Sequence, residues 1–153
     1  MNCLELKVPP PAVALLICVA MWVLSLVPPF FEVPTVIRAV AALTIGSIGG
    51  IFSIAGVIRF RKAKTTVNPT KPHAASSLVT SGIYKFTRNP MYVGLLFVIT
   101  GWAAFLWSLW TLLGPIAFAM YITRFQIKPE ERVLEGLFGA DYASYQSRVR
   151  RWL

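Results

Sequence analysis

The chain has 153 residues, 56% hydrophobic and 14% charged, with a mean hydropathy of +0.64 and a formal net charge of +9. Soluble domains carry about 25% charged residues, so an ordinary water-soluble domain is excluded, and the same oiliness excludes a disordered chain. Cys3 and Cys18 are the only cysteines, too few for a disulfide scaffold or a tetrahedral metal site, and they read as packing residues. The length suits one membrane domain over 1–153.

Residues Ala12 to Phe31 are 20 consecutive uncharged residues, and Ala39 to Ile58 are another 20. Each makes a helix of about 30 Å, the thickness of the hydrocarbon core. Glu5 beside Lys7 and the Pro28-Pro29-Phe30-Phe31 run argue against a cleaved signal peptide, so the first run is expected to be a retained span. The second contains Gly46, Gly49, Gly50, Ser53 and Gly56, and Gly46 with Gly50 forms a small-xxx-small pair. That pair suits helix packing within one bundle or close approach of a ligand.

Between the second and third apolar runs, Arg59 to Asn89 is a polar connection of 31 residues. A loop this long in a small protein is functional or disordered, and the compact apolar and aromatic residues from Leu78 to Tyr84 argue against disorder. His73, the only histidine, lies there without a neighbouring ligand set. Asn89-Pro90 marks a helix start, because proline suits the first helical position and pushes its predecessor to extended geometry. The open N–H groups of that start, with Arg88 adjacent and Tyr92 and Gly94 on the first turn, suit a carboxylate or phosphate. An interfacial helix start with an anchoring Tyr and a membrane-flanking Arg accounts for the same residues.

The third uncharged run, Pro90 to Thr123, has 34 residues, about 51 Å as one helix and too long for a single span. A helical hairpin is expected, with its turn between Trp107 and Pro115. Spans are therefore placed at about 12–31, 39–58, 91–107 and 109–125. Charge supports this count: 14 of the 15 Lys and Arg fall on one side of a four-span arrangement, leaving only Arg38 on the other. Both termini and the polar segments 65–90 and 126–153 are then cytoplasmic.

After the fourth span, Lys128-Pro129-Glu130-Glu131-Arg132 holds two of only six acids. Pro129 suggests a helix start whose first turn welcomes Glu; equally, two carboxylates beside the membrane suit a cationic ligand or ribose hydroxyls. Residues 130 to 152 continue at helical spacing as an amphipathic helix pair on the membrane surface. Arg148, Arg150 and Arg151 suit either an anionic substrate or anionic lipid headgroups. Because the basic groups flank apolar runs, nucleic acid is not expected as a partner. The spans contain no charged side chain, which speaks against proton-coupled transport. No metal site is evident, and Gly46 to Gly50 lacks the dinucleotide fingerprint.

Ser81-Gly82-Ile83-Tyr84, then Arg88-Asn89-Pro90-Met91-Tyr92-Val93-Gly94, a hydrophobic hairpin, Glu130-Glu131, and Phe138-Gly139-Ala140-Asp141-Tyr142 together resemble the isoprenylcysteine carboxyl methyltransferase family, whose C-terminal pattern phospholipid N-methyltransferases share. The resemblance covers roughly residues 65 to 153. It implies an all-α integral-membrane bundle of about four spans with cytoplasmic amphipathic helices, S-adenosylmethionine as cofactor, and a lipid-like or prenylated acceptor entering from the bilayer. Arg88 and the helix start at Pro90 to Tyr92 would receive the methionyl carboxylate. Glu130 or Glu131 would hold the amino group or ribose, and Tyr84 and Tyr92 would border the sulfonium or adenine. On this basis the expected site comprises Tyr84, Arg88, Asn89, Pro90, Tyr92, Gly94, Glu130 and Glu131, with Arg88, Glu130 and Glu131 in catalytic roles. Many relatives carry His where this chain has Asn89, so a general base is not expected there. A carboxylate acceptor needs no deprotonation; an amine does, with Glu130 or Glu131 as the base. An NADPH-dependent membrane reductase and a non-enzymatic four-span subunit are the competing readings.

Overall fold

A computed structural model describes residues 5–29, 32–63 and 77–153; His73 and residues 65–76 of the expected segment 65–90 lie outside these described residues. Among them the structure is all helical: α1 (Pro10–Leu24), α2 (Thr35–Lys62), a 3₁₀ turn (Gly82–Lys85), α3 (Pro90–Leu106), a second 3₁₀ turn (Leu109–Leu112), α4 (Leu113–Ile122), a π-helical segment (Thr123–Ile127) and α5 (Lys128–Arg148).

Three of the expected spans change shape. The first is a helix of only 15 residues, about 22 Å. It closes in short turns, Leu26 N–H to Val23 O and Val27 N–H to Leu24 O, before Pro28, which cannot donate to Leu24. The second is longer than expected, at 28 residues, and is the one helix among the described residues long and apolar enough to cross a membrane by length and composition. The expected hairpin turn is present between α3 and α4: Trp107 ends α3 in the left-handed conformation (φ 51°), followed by Ser108 and the second 3₁₀ turn.

The fourth span and the Glu130-Glu131 segment differ most. Pro129 does not start a new helix, because α4, the π segment and α5 run on without interruption, with Ile127 itself in the α conformation. The π segment absorbs the proline: Lys128 N–H reaches back five residues to Thr123 O. Phe125 O, whose i+4 partner would be the missing N–H of Pro129, instead accepts the N–H of Leu6 at 3.1 Å. Within α5 the chain bends at Gly139, with φ 48° and ψ −121°, backbone angles that a side chain would strain.

Helix α3 is the central element. On one side it packs antiparallel to α2, with Arg38 at the start of α2 donating to Phe105 O at 2.6 Å and Gly56 near its end lying against Met91 and Pro90. On the other side, α1, α3, α4 and the π segment share a core of Val13, Ala14, Met21, Tyr92, Ile99, Ala103, Phe118, Ile122 and Ile127. The α2–α3 contact rests on Gly49 and Gly94. A Cβ on Gly49 would lie 2.5 Å from Gly94 O, and one on Gly94 would meet Ser53 Oγ and come 2.6 Å from Gly49 O. Gly46 joins this contact through its backbone, since a Cβ on Gly101 would come 3.2 Å from Gly46 N, but a Cβ on Gly46 or Gly50 would meet nothing within 4 Å, so the expected pair does not turn its missing side chains to α3. The face of α2 away from α3 is apolar and exposed, with Val36, Val40, Leu43, Ile51 and Ile54 outward.

Polar chemistry gathers at one end of this bundle, where the first 3₁₀ turn, the start of α3, the first turns of α5 and the C-terminal residues meet. A second small core, Val79, Tyr84, Tyr142 and Tyr145 with Phe60, Leu134 and Phe138 against it, fixes these pieces together. Tyr145 donates its hydroxyl hydrogen to Tyr84 O at 2.7 Å.

Candidate active site

The adjacent acids of α5 point in different directions, because successive helical residues are rotated by about 100°. Glu130 faces α3. Its Oε1 accepts the Tyr92 hydroxyl at 2.6 Å and the Gln126 side-chain amide at 2.9 Å. Burial pushes its carboxyl up to about 7, with Glu131 adding to the rise and the Tyr92 and Gln126 hydrogen bonds opposing it. The group is therefore poised between its two protonation states near neutral pH.

Glu131 faces the start of α3 and the C-terminal segment. Arg151 grips it with two bonds, Nε to Oε1 at 3.0 Å and Nη2 to Oε2 at 2.7 Å. Arg88 Nη2 approaches Oε1 at 3.1 Å. The Arg88 side chain is 11% exposed, and its Nε and Nη1 are buried without a hydrogen-bond partner, as is the Tyr84 hydroxyl. Burial holds the hydroxyls of Tyr84 and Tyr145 well above the ordinary phenol range and that of Tyr142 at about 12, so all three remain protonated donors.

Of the expected site residues, the structure brings Tyr84, Arg88, Tyr92, Glu130 and Glu131 together. Asn89 and Pro90 lie beside them in supporting positions. Asn89 Nδ2 donates to Arg151 O at 2.9 Å, and Asn89 O accepts the N–H groups of Tyr92 and Val93. The start of α3 thus offers fewer open donors than a bare helix terminus. Pro90 is buried under Gly56. Gly94 lies on the α2 side of α3, where its missing side chain serves helix packing.

Two contributors escaped the sequence reading. Gln126 is buried one turn before Glu130, at the spacing that places both on one helix face. Arg151 was legible as a basic group near the membrane but carried no sign that it would return to Glu131. The segment holding it is tied to the start of α3 by Arg88 N–H to Arg150 O at 3.0 Å and Thr87 Oγ1 to Arg151 O at 3.3 Å.

A buried arginine with an open edge beside a buried carboxylate suits a ligand carrying both an anionic and a cationic group. Comparison with known proteins agrees with that chemistry. The sequence profile of the phospholipid methyltransferase family matches residues 36–141. The chain belongs to this family. The match takes in Tyr84, Arg88 to Gly94, Glu130 and Glu131, and ends before the C-terminal residues that hold Glu131.

Protein-S-isoprenylcysteine O-methyltransferase B of Arabidopsis thaliana is 31% identical over 110 residues, covering 70% of this chain and 54% of the plant protein. Methanethiol S-methyltransferase 1 of Bradyrhizobium diazoefficiens is 40% identical over 67 residues, 44% of this chain and 22% of that protein. An uncharacterized protein of Haemophilus influenzae is 43% identical over 63 residues, 41% of this chain and all of that protein. The chain thus spans about half the length of the plant enzyme it matches and about a fifth of the Bradyrhizobium enzyme. No solved structure matches. Membership identifies a methyltransferase of membrane type, in keeping with the apolar 28-residue α2.

Proposed function

We propose that this protein transfers a methyl group from S-adenosylmethionine to a lipophilic acceptor, as a multi-pass membrane enzyme whose site and termini face the cytoplasm. The observation that carries this reading is that one site holds both buried, open Arg88 donors and the buried Glu130 carboxylate. The two groups match the zwitterionic end of the cofactor: an open Arg88 donor for the carboxylate, Glu130 for the ammonium. The Tyr84 hydroxyl, buried and without a partner, is a donor for the same ligand.

When bound, the cofactor supplies an activated methyl carbon on a sulfonium. The chain's own residues then bind, orient and exclude water, which is the larger part of the task for an in-line transfer. Tyr92 and Gln126 both donate to Glu130 Oε1 and fix that oxygen on the α3 side. Glu131, already gripped by two arginines, is occupied in holding the site together, so the amino group falls to Glu130. A carboxylate acceptor needs no base, and none is then required of Glu130 while it holds the ammonium. The outward apolar face of α2 suits lipid contact, and an acceptor dissolved in the bilayer reaches such a site laterally.

Calorimetric titration of S-adenosylhomocysteine into the full chain in lipid nanodiscs, with NADPH as control ligand, tests the reading. Saturable binding of the nucleoside ligand, abolished or weakened at least tenfold by Arg88→Ala and by Glu130→Ala, is expected. Absence of binding by folded protein refutes the S-adenosylmethionine reading, and binding of NADPH in its place favours the reductase.

A further inference from the structure

The C-terminal residues lie beyond the stretch that the family profile matches, which ends at 141, yet they complete the anion-binding side of the site. Three backbone-directed bonds fasten them there: Arg88 N–H to Arg150 O at 3.0 Å, Asn89 Nδ2 to Arg151 O at 2.9 Å, and Thr87 Oγ1 to Arg151 O at 3.3 Å. Trp152 Nε1 adds a bond to Thr123 Oγ1 at 3.2 Å, anchoring the segment to the π-helical turn. So held, Arg151 presents its guanidinium to Glu131 in a two-bond grip, at 3.0 and 2.7 Å.

The charges explain what this grip achieves. Arg88 and Glu131 alone would sum to zero, and a carboxylate approaching Arg88 would meet a site whose positive charge was already offset by its neighbour. With Arg151 included, the cluster of two arginines and one glutamate carries a net +1. Arg151 takes both oxygens of Glu131, and Arg88 keeps only one contact, Nη2 to Oε1 at 3.1 Å. Its Nε and Nη1 are left buried and open; they lie on different sides of the guanidinium, so each is a separate charge-assisted donor for an anionic group. Buried guanidinium donors without acceptors are costly, and they persist here because the C-terminal segment and Glu131 fix the side chain.

We propose that Arg151 is a positioning residue for recognition of the cofactor's carboxylate: it holds and offsets Glu131, so that the open Nε and Nη1 donors of Arg88 and its positive charge stay available to an anionic group. This rests on the proposed function for the ligand's identity. Arg151 itself does not touch the ligand; it acts through Glu131 and Arg88.

The test compares two ligands that differ only in the carboxylate, S-adenosylhomocysteine and its decarboxylated analogue S-adenosyl-3-thiopropylamine, by calorimetry on the full chain in nanodiscs. The unmodified protein is expected to prefer the carboxylate-bearing ligand by at least tenfold, and Arg88→Ala to bring the ratio near one. Arg151→Ala is expected to cut the ratio at least threefold while leaving affinity for the analogue within twofold. Arg151→Gln keeps the stem and a donor for Glu131 but not the charge, and gives the same loss should the alanine variant fail to fold. Combining Glu131→Gln with Arg151→Gln restores the net +1 through Arg88 alone and is expected to recover most of the preference.

An unchanged ratio in both Arg151 variants overturns the proposal. So does an equal loss of affinity for both ligands, or failure of the double variant to recover the preference, since these mark a role in stability alone. Binding of neither ligand by folded unmodified protein overturns the methyl-donor reading itself, a result distinguishable from the others because no variant is needed to see it.

Discussion

Glu130 should make stability and ligand affinity respond to pH in opposite senses over one window. Its carboxyl is raised from an ordinary 4.5 to about 7, chiefly by burial. The folded state therefore holds this proton more tightly than the unfolded chain. The associated stability is fully present below about 4.5, declines as pH rises, and is lost above about 7. At about 1.4 kcal/mol for each tenfold change in proton affinity, the whole decline amounts to about 3 kcal/mol.

The groups facing Glu130 are Tyr92 from α3, Gln126 and Glu131 from its own helix, and Tyr84 from the 3₁₀ turn. Tyr84, held well above the ordinary phenol range by burial, stays protonated throughout this window. Ligand binding runs the other way. An ammonium pairs with the ionised carboxylate, so affinity for S-adenosylhomocysteine should rise about tenfold between pH 6 and pH 8 as the ionised fraction grows from about a tenth to nine-tenths.

Thermal unfolding and calorimetry at pH 5, 6, 7 and 8, on the unmodified chain and Glu130→Gln, provide the assay. The difference between the two proteins removes the contribution of every other titrating group. The unmodified chain should lose stability relative to Glu130→Gln from pH 5 to pH 7. Parallel stability profiles would refute the raised carboxyl, and a pH-independent affinity would refute its pairing with a cationic ligand.

Tyr92→Phe removes a hydrogen bond that holds Glu130 ionised, so the midpoint of both profiles should move above 7, with a stability change of about 1–2 kcal/mol measurable by thermal unfolding. Gly94→Ala drives a methyl into Ser53 Oγ and to 2.6 Å from Gly49 O, which should cost about 1–3 kcal/mol, whereas Gly50→Ala, with nothing within 4 Å, should cost nothing. Arg38→Met removes the 2.6 Å bond to Phe105 O and the packing over the Phe105 ring at the opposite end of the bundle; it should lower the unfolding temperature and leave S-adenosylhomocysteine affinity unchanged.

The sequence was most informative where a local cause sufficed. Asn89-Pro90 announced the start of α3, and Trp107 to Pro115 bracketed the hairpin turn, because proline, glycine and interfacial tryptophan act on the backbone within a few residues. It misled where the cause was tertiary. Pro129 would start a helix in isolation, but here the preceding turn widens to a π geometry and Leu6, more than a hundred residues earlier, supplies the donor that Pro129 lacks. Among the α2 glycines, Gly46 and Gly50 had the familiar spacing, while Gly49 faced the partner helix. Which stripe of a uniformly apolar helix turns inward depends on the neighbour, and periodicity is silent when every face is oily. The return of Arg151 to Glu131 likewise spans 20 residues and a bend at Gly139 that no local pattern encodes.

The continuity of α4 with α5 has a chemical result that a broken helix would not give. Gln126 and Glu130 sit on opposite sides of Pro129, and only an unbroken helix keeps them one turn apart so that the amide reaches the carboxylate at 2.9 Å. Pro129→Ala would restore an N–H able to bond Phe125 O and close the π turn to an α turn, releasing the N–H of Leu6. Removing one residue's worth of widening rotates α4 by about 100° relative to α5, which would turn Phe118 and Ile122 away from the core they share with α1 and α3 and displace Glu130 from Tyr92. Amide exchange at Leu6 should then accelerate, and S-adenosylhomocysteine affinity should fall severalfold although no ligand-facing side chain has changed. Unaltered exchange at Leu6 with unaltered affinity would show that the π turn persists without the proline, and that the widening is set by packing of Ile122 and Ile127 in the core.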